Sequence, residues 1–392
     1  MTLMLCLLAS CLGAVTARAD NEVVATIVEV SGALEVPEIN AKSAIIIDVA
    51  SGSIIYEKNA YEKRPMASTT KLMTTLLALE KGNLGDTVSI TKEMIAYDEE
   101  GSTKLGLRLG DTITLHDLIV AMMLLSGNDA AQSTAVYLGG SIDGFASMMN
   151  ERAAELGMLD THFITPSGLD DPDHYSTAYD MALLGIACAQ TPGFTDFTSM
   201  MRCQIYYGNP QSARWLNTHN NLVQGQYKGI KGCDGLKTGY TDAAGYCLVS
   251  HVKREGLEFV CVTMGSPDYF SDQRLLIDYA LSTYVKVNVT PNLGKNDIVL
   301  IGGTAQEVGI EVGGMSEFYV PRDKVNGITK KVNLGKFEYA PVTMGQVVGS
   351  VQYLYGNSVL AEFPIQATDN VDCITTDWLS AYIRAIKYEM ED

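Results

Sequence analysis

The sequence predicts a mixed α/β domain that is followed by a small all-β domain. In the first part, strand-like runs near residues 43–56 and after residue 232 enclose a long stretch of helix-like segments. We expect the strands from the two ends to pair in one sheet, because each element must bury its apolar face against another. From about residue 291 to 372, short β-rich runs alternate with glycine turns and helical periodicity disappears, which is typical of a small antiparallel domain.

The composition is that of a folded protein and excludes one class of partner. Hydrophobic residues make up 47% and charged residues 19% of the 392 residues, which argues against disorder. The formal net charge of −18 argues against nucleic acid as a partner, because neutralising phosphates requires clustered lysine and arginine. Any basic surface must therefore be local.

The first candidate for chemistry is a Ser-x-x-Lys pair. The pattern alone is weak because it occurs three times, at Ser68/Lys71, Ser89/Lys92 and Ser250/Lys253. Only Ser68 is followed by a helix-like run, residues 71–80, which would place the Lys71 amine one turn along and within reach of the serine hydroxyl. The alternative is an N-cap serine followed by a solvated lysine.

The second candidate, Ser126-Gly127-Asn128, is the one Ser-x-Asn of the sequence. It lies between two helix-like runs, residues 115–125 and 129–138, so the glycine predicts a tight corner that exposes the neighbouring side chains. The alternative is an ordinary interhelical turn in which the serine and asparagine satisfy backbone groups.

The third candidate, Lys237-Thr238-Gly239, also occurs once. It precedes two strand-like runs, residues 245–252 and 257–264, that predict a β-hairpin around a glycine-containing turn. The motif should lie on a strand that borders this hairpin, where the glycine would let a ligand backbone come close. The alternative is a polar strand end before a loop.

The order of the three motifs is more informative than any one of them. Together they supply a serine nucleophile, a lysine to deprotonate it, a second hydroxyl with an amide, and a cation for a carboxylate, which is the equipment of penicillin-recognising acyl transferases. The chain resembles the serine D-alanyl-D-alanine carboxypeptidases, the low-molecular-mass penicillin-binding proteins of peptidase family S11. The resemblance spans roughly residues 40–370 and includes the segments 66–74, 125–131, 149–158, 166–170, 176–180 and 217–222.

The resemblance implies a fold and domain bounds. The expected architecture is a β-lactamase/transpeptidase-like catalytic domain over residues 38–284, an antiparallel sheet flanked by helices with the active site between sheet and helical region. A small all-β C-terminal domain over residues 291–372 should follow it. One segment departs from the family: Thr165-Pro166-Ser167-Gly168-Leu169 stands where Asn-Pro-His-Gly-Leu is common. The proline and glycine of the turn are kept, so the change concerns local contacts rather than the reaction.

The resemblance also implies acyl transfer through a covalent serine ester, without metal or cofactor. Ser68 would be the nucleophile, Lys71 its base, and Ser126 the group that relays the proton to the departing amine. The implied substrate-binding residues are Asn128, Lys237, Thr238, Gly239 and Tyr240. The backbone N–H groups of Ser68 and Tyr240 would form the oxyanion hole. The implied partners are peptidoglycan stem peptides that end in D-Ala-D-Ala, with β-lactams as covalent inhibitors.

Three other functions remain open from the sequence. Cleavage of cross-links by a DD-endopeptidase would use the same residues. A serine β-lactamase would need an added glutamate base, and no Glu-x-x-Leu-Asn supplies one. A non-catalytic wall-binding scaffold would not need the full set of polar side chains. Arg274 is ambiguous, since it could bind the substrate carboxylate or lie on a helix surface.

The N-terminus predicts export to the extracytoplasmic face of a bacterial cell. Residues 3–15 are apolar and uncharged, and Ala17-Arg18-Ala19 has the small-x-small pattern of a signal-peptide cleavage site, so the signal would cover residues 1–19. Lipoprotein processing at Cys11 is an alternative. The six cysteines outside this segment show no C-x-x-C spacing, so neither a zinc site nor a redox dithiol is indicated, and disulfide pairing stays open. Cys247 and Cys261 fall in strand-like runs and should be core thiols.

The last segment, residues 376–392, predicts an amphipathic helix, and the resemblance implies that this helix lies on the membrane surface. It carries two positive and four negative side chains, which weakens electrostatic attachment, and packing on the β domain is the alternative.

We predict that removing residues 376–392 releases the protein from the membrane fraction, because the apolar face of this helix would be the anchor. Fractionation of cells expressing the two forms measures this. Unchanged membrane association of the shortened chain would contradict the anchor and favour packing on the β domain.

Overall fold

The computed structural model describes residues 16–19, 22–29, 35–96, 101–289, 293–313 and 317–374. Its strands, in chain order, are β1 Thr16–Ala19, β2 Glu22–Glu29, β3 Ser43–Asp48, β4 Ile54–Lys58, β5 Thr87–Ser89, β6 Thr112–Thr114, β7 Arg202–Gly208, β8 Gln211–Asn217, β9 Cys233–Thr241, β10 Gly245–Arg254, β11 Leu257–Ser266, β12 Tyr284–Val289, β13 Asp297–Ile301, β14 Glu307–Val312, β15 Glu317–Pro321, β16 Ile328–Leu334, β17 Phe337–Tyr339, β18 Val347–Tyr355 and β19 Ser358–Ala367.

The α-helices of the described residues are α1 Lys71–Lys81, α2 Leu115–Val120, α3 Asn128–Gly139, α4 Ile142–Glu155, α5 Ala178–Gln190, α6 Phe194–Thr198 and α7 Tyr269–Ser282. Turns of 3-10 helix cover Ala67–Thr70, Glu93–Ile95 and Arg322–Gly327, and a π-helical turn covers Ala121–Leu125. The chain divides into two compact units. The larger unit is Leu34–Leu281, and the second unit combines Met1–Ala33 with Ser282–Asp392.

The predicted pairing of the two ends of the first domain is confirmed in the larger unit. Five antiparallel strands form one sheet in the order β4-β3-β11-β10-β9. β10 and β11 form the predicted hairpin, and β9 borders it. This order leaves β9, which carries Lys237, Thr238 and Gly239, at one edge of the sheet among the strands that the structure describes.

Helices cover both faces of this sheet. On one face, Gly185 of α5 lies against Val249 and Val260, and a side chain at position 185 would collide with both valines. Successive side chains of a strand point to opposite faces of the sheet, so the neighbours of Val260 on β11 face the other side. There, the amide nitrogen of Gln273 on α7 donates to the carbonyl oxygens of Leu248 (2.7 Å) and Cys261 (3.2 Å). The sheet is therefore the middle layer of three.

A second sheet in the larger unit was not predicted. Four short strands pair in the order β5-β6-β7-β8, so the expectation that strands return only after residue 232 is wrong. β8 is almost entirely exposed, with Leu216 its one buried residue, and β7 buries Ile205 alone. Because few positions of these strands are apolar and buried, the sequence lacks the alternation that predicts a strand.

The second unit is built from strands, as predicted for the C-terminal domain. One sheet has the order β1-β2-β12-β15, and the other has the order β16-β18-β19-β14-β13-β17. Valine, isoleucine and phenylalanine side chains of both sheets form its buried cluster. The described residues after Tyr284 contain no α-helix.

Several sequence-based predictions concern residues outside the described ranges. The C-terminal helix over residues 376–392, the Cys11 processing site and residues 1–15 of the predicted signal peptide lie there. The last residues of that predicted signal, Thr16–Ala19, form β1 and pair with β2. Cys247 and Cys261 are buried thiols, as predicted. No helix within the described ranges is both long and apolar enough to cross a membrane.

We predict that Asp272→Ala lowers the free energy of unfolding of the larger unit by about 3 kcal/mol, because two backbone N–H groups lose their acceptor. The buried Asp272 carboxylate accepts from the backbone nitrogens of Asn40 (2.9 Å) and Ala41 (2.8 Å) and from the Ser266 hydroxyl (2.6 Å). Urea unfolding measures the change. Ser271→Ala, at an exposed neighbouring position, should stay within about 0.5 kcal/mol of the parent, and equal effects of the two substitutions would contradict the assignment.

Candidate active site

Ser68 lies on a tight turn that two other segments hold in place. The 3-10 turn Ala67–Thr70 leads directly into α1, and Ala67 before the serine has a left-handed backbone with φ of 50°. A Cβ atom on Gly168 would lie 1.9 Å from the Ala67 carbonyl oxygen, and one on Gly239 would lie 2.8 Å from the Ser68 backbone nitrogen. Glycines at these two positions therefore let the loop and the edge strand pass against the backbone of the turn.

Lys71 lies one turn along from Ser68, and its amine meets three oxygen atoms. The Lys71 Nζ atom is 2.8 Å from Ser68 Oγ, 2.7 Å from Asn128 Oδ1 and 2.7 Å from the Ser167 carbonyl oxygen. The side chain is fully buried. The predicted reach of the amine to the serine hydroxyl is therefore present in the structure.

The surroundings of Lys71 favour its neutral form. Burial lowers the pKa of the amine well below its usual range, and the nearby Lys237 lowers it further, while Asp129 opposes the shift. The hydrogen-bonding partners fit this state. The asparagine oxygen and the Ser167 carbonyl can only accept, so they take the two N–H bonds of a neutral amine. The amine lone pair then remains for the hydroxyl proton of Ser68.

The Ser126-Gly127-Asn128 corner brings two further side chains to the same place. The π turn Ala121–Leu125 ends at Ser126, whose φ of 66° is left-handed, and α3 begins at Asn128. The corner is tight, as the glycine predicted. Asn128 receives the Lys71 N–H through its side chain and donates its backbone N–H to the Thr103 carbonyl (2.8 Å).

Asp129 organises a loop beside the site, a role that the sequence did not reveal. Its buried carboxylate accepts from three consecutive backbone nitrogens, those of Leu105 (2.8 Å), Gly106 (2.7 Å) and Leu107 (3.0 Å). The preceding residues of this loop, 101–103, line the cleft described below. A run of three backbone donors has no side-chain signature, so sequence patterns give no means of finding it.

The edge strand β9 supplies the third group of residues. Lys237 is buried, its amine donates to the Thr238 carbonyl oxygen (2.9 Å), and burial lowers its pKa to about 7. Gly239 passes beside the Ser68 backbone nitrogen, so the N–H groups of Ser68 and of the next residue, Tyr240, belong to backbone segments that nearly touch. An oxyanion hole requires two N–H donors aimed at one point, and the N–H groups of Ser68 and Tyr240 remain the predicted pair.

These elements enclose a cleft of about 480 Å³ in the larger unit. Six of the eight predicted site residues line it, namely Ser68, Ser126, Asn128, Thr238, Gly239 and Tyr240. Lys71 and Lys237 are the other two, and both are buried; the Lys71 amine contacts the lining residues Ser68 and Asn128, and the Lys237 amine contacts the Thr238 carbonyl. Arg274 is not among the lining residues, and its guanidinium donates to the Lys228 carbonyl oxygen. The helix-surface interpretation of Arg274 is therefore the one that fits.

At Ser167 the chain departs from the family pattern, which commonly has histidine there, and the structure explains why this change is tolerated. What this segment gives to the site is backbone: the Ser167 carbonyl receives the Lys71 N–H, and Gly168 packs against the Ala67 carbonyl. A third backbone contact of the segment is that of the Pro166 carbonyl oxygen, which accepts from the Thr74 hydroxyl (2.6 Å). A change of the side chain at position 167 therefore leaves these contacts in place.

Two further features of the cleft are absent from the predicted site. His219 lines it, and burial together with Lys237 lowers its pKa. Tyr246 and Tyr269, which were not predicted, line it together with the predicted Tyr240. Within the described residues, no group of three or more histidine, cysteine, aspartate or glutamate side chains could hold a metal ion.

Comparison with known proteins decides the family. A family model described as D-alanyl-D-alanine carboxypeptidase matches residues 30–268, and one for the C-terminal domain of penicillin-binding protein 5 matches residues 293–372. The chain belongs to the D-alanyl-D-alanine carboxypeptidase family. The family and fold class predicted from the sequence are thereby confirmed.

Individual relatives agree with this placement. The D-alanyl-D-alanine carboxypeptidase DacF of Bacillus subtilis is 30% identical over 84% of this chain and 86% of its own length. DacC of Escherichia coli is 30% identical over 86% of each chain. Among solved structures, penicillin-binding protein 5 from Haemophilus influenzae is 27% identical with a TM-score of 0.60, covering 87% of this chain and 100% of its own. DacD from Francisella tularensis is 25% identical with a TM-score of 0.61, covering 88% and 97%.

We predict that Gly168→Ala lowers kcat/KM by about 100-fold, because its Cβ atom would force the Ala67 carbonyl and the attached Ser68 to move by about 1 Å. Steady-state hydrolysis of a peptide substrate measures this. The matched control is Gly157→Ala, which has a similar φ of 78° but open space around the new Cβ atom. Comparable losses in both variants would show that backbone strain, and not the contact with Ala67, is responsible.

Proposed function

We propose that this protein is a serine-type DD-carboxypeptidase that removes the terminal D-alanine from peptidoglycan stem peptides through an acyl-enzyme on Ser68. The observation that carries the proposal is the buried Lys71 amine 2.8 Å from the Ser68 hydroxyl, with its two N–H bonds taken by acceptors. The family membership supports the substrate class, since the matching relatives are D-alanyl-D-alanine carboxypeptidases.

In the acylation step, Ser68 Oγ attacks the carbonyl carbon of the penultimate D-alanine while its proton passes to the neutral Lys71 amine. The developing oxyanion is stabilised by the backbone N–H groups of Ser68 and Tyr240, and each such donor typically contributes about 3 kcal/mol. When the C–N bond breaks, the proton held by Lys71 moves through the Ser126 hydroxyl to the amine of the leaving D-alanine. The result is a Ser68 ester and free D-alanine.

Selection of a chain end depends on the substrate carboxylate. Lys237 and Thr238 bind this carboxylate, and Asn128 and the backbone of Gly239 and Tyr240 hold the amide groups of the stem peptide. An internal peptide bond has no such carboxylate, which favours carboxypeptidase over endopeptidase action. Water then attacks the ester, Lys71 takes a proton from it, and Ser68 is regenerated.

The same groups make penicillins covalent inhibitors, because a β-lactam amide in the cleft would acylate Ser68. Rapid hydrolysis of that ester by a β-lactamase usually needs a glutamate base. None of the described residues that line the cleft is a glutamate. This favours a carboxypeptidase over a β-lactamase.

The location that fits this substrate is the extracytoplasmic face of the bacterial membrane and the cell wall, where the protein would act in wall biogenesis and cell shape. The predicted signal peptide over residues 1–19 supports export. We also propose that residues 376–392 contact the membrane peripherally.

We predict that the purified protein releases D-alanine from a tripeptide ending Lys-D-Ala-D-Ala and that Ser68→Ala abolishes release, because the nucleophile is lost. Quantifying free D-alanine measures this. The Ser89→Ala variant is the matched control, since Ser89 begins a second Ser-x-x-Lys pair and its residue is exposed on β5. Release that survives in the Ser68 variant would refute the assignment. No release from folded protein would shift the function to cross-link cleavage, β-lactam hydrolysis or a non-catalytic wall function.

We predict that kcat/KM falls as the pH rises through about 7, because burial holds the pKa of Lys237 near that value and only its charged form binds the substrate carboxylate. The fall in kcat should occur at higher pH, because the bound substrate carboxylate stabilises the Lys237 ammonium in the enzyme–substrate complex. In Lys237→Arg, kcat/KM should no longer fall as the pH rises through about 7, because a guanidinium stays charged. If kcat/KM of this variant still falls over the same pH range, the titration belongs to a group other than Lys237.

A further inference from the structure

His174 is a buried histidine that the proposed reaction does not use. It is 2% exposed and belongs to the connection between α4 and α5. The Nδ1 atom of its ring accepts from the backbone nitrogens of Ile164 (2.9 Å) and Thr165 (3.3 Å). The Nε2 atom lies 2.9 Å from the hydroxyl oxygen of Thr70. One ring thus joins two segments, the loop around residues 164–168 and the 3-10 turn that carries the nucleophile.

The contacts of His174 fix where each proton of this chain of hydrogen bonds lies. A backbone N–H can only donate, so Nδ1 presents a lone pair and the proton of the neutral ring lies on Nε2. The Nε2–H group then donates to the Thr70 hydroxyl oxygen. The Thr70 hydroxyl donates in turn to the Ala67 carbonyl oxygen (2.8 Å). The chain of hydrogen bonds therefore runs in one direction and ends on the carbonyl group that immediately precedes Ser68.

The surroundings of His174 favour this neutral ring. Burial lowers the pKa of the imidazole to about 4; Asp171 opposes this shift, and His162 and Lys71 add to it. The ring of Phe163 packs against the imidazole edge-to-face, with the two centroids 5.9 Å apart. A second proton on the imidazole would lie on Nδ1, where it would face two N–H groups. A charged ring therefore cannot keep these contacts.

The loop that His174 holds is the one that Lys71 needs. The Ser167 carbonyl, which accepts from the Lys71 amine, lies two residues after the second of the two backbone donors. A Cβ atom on Gly168, the next residue, would lie 2.8 Å from the Thr70 hydroxyl oxygen, so loop and turn pack closely at the Nε2 end of the ring as well. Loss of the imidazole would release both segments.

We propose that His174 is a positioning residue for acylation, because its Nε2-protonated imidazole holds the loop of Ser167 and the turn of Ser68 at a fixed separation. His174 is not among the residues that line the cleft, so it acts through the position of the Ser68 hydroxyl relative to the Lys71 amine. The inference rests on the proposed acyl transfer at Ser68 and adds a residue that none of the three sequence motifs contains.

Two substitutions of similar size test the link between His174 and Thr70. In His174→Asn, the amide oxygen takes the place of Nδ1 and the donor to Thr70 is lost. In Thr70→Val, the same link is removed from the other side, because the methyl group can neither accept nor donate. We expect each substitution to lower kcat for D-alanine release by about tenfold, with KM within about twofold of the parent.

The double variant His174→Asn, Thr70→Val decides whether the two residues act as one unit. Its kcat should be no lower than about tenfold below the parent, because both changes remove the same link. Losses that multiply to about 100-fold would mean that the residues act independently, and would overturn the proposal. His174→Ala loses both ends of the ring, and its kcat should fall by about 100-fold.

A second buried histidine separates positioning from folding. His251 on β10 is 3% exposed, and its ring nitrogens lie 3.3 and 3.0 Å from carboxylate oxygens of Asp234 and Glu258. It is not among the residues that line the cleft. We expect His251→Ala to lower the free energy of unfolding in urea, as His174→Ala does, and to keep kcat within about twofold of the parent. Equal losses of kcat in the two variants would tie activity to stability and overturn the proposal.

Nitrogen-15 NMR of the histidine rings tests the proton assignment directly. We expect the His174 ring to be neutral and protonated on Nε2 at the pH of greatest activity. A ring that is protonated on Nδ1, or charged at that pH, would overturn the proposal. If the parent protein releases no D-alanine, the carboxypeptidase function itself is refuted. The rate of Ser68 acylation by penicillin then compares the same variants, with the same ratios expected.

Discussion

The site depends on one contact, that of a buried lysine amine with a serine hydroxyl. Lys71 can take the serine proton only if it is neutral, and an exposed lysine would be charged at physiological pH. Burial and the charge of Lys237 shift its pKa in the required direction. Removing this amine from water is unfavourable, so its N–H bonds must be satisfied within the protein. The Asn128 amide oxygen and the Ser167 carbonyl do this.

The fold brings these acceptors together from distant parts of the chain. Asn128 comes from the corner between two helices, Ser167 from a loop, and Lys237 from the edge strand of the sheet. Close approach is possible because Gly168 and Gly239 carry no Cβ atom where they meet the turn that holds Ser68. Among the described strands of this sheet β9 is an edge, and an extended peptide can pair with such an edge. In the proposed mechanism, one strand thus serves both the electrostatics of Lys71 and the binding of substrate.

The sequence predicted the parts of this arrangement that have local signatures. The helix after Ser68, the corner at Gly127 and the hairpin beside β9 follow from periodicity and turn residues, and the pairing of the two ends follows from the need to bury apolar faces. Contacts that use backbone atoms were not predictable. The three nitrogens that bind Asp129 and the Ser167 carbonyl leave no trace in residue type. The sheet containing β7 and β8 was missed because its exposed strands lack an apolar pattern.

The most direct test of the account is a titration of the Lys71 amine itself. Lysine side chains labelled with carbon-13 and nitrogen-15 report the charge of each amine by NMR, and Lys71→Arg identifies the resonance by its loss. The account predicts that Lys71 is a neutral amine at the pH of greatest activity and becomes charged only at lower pH. A Lys71 amine that stays charged throughout the active pH range, and loses its proton only near pH 10 like a solvent-exposed lysine, would contradict it.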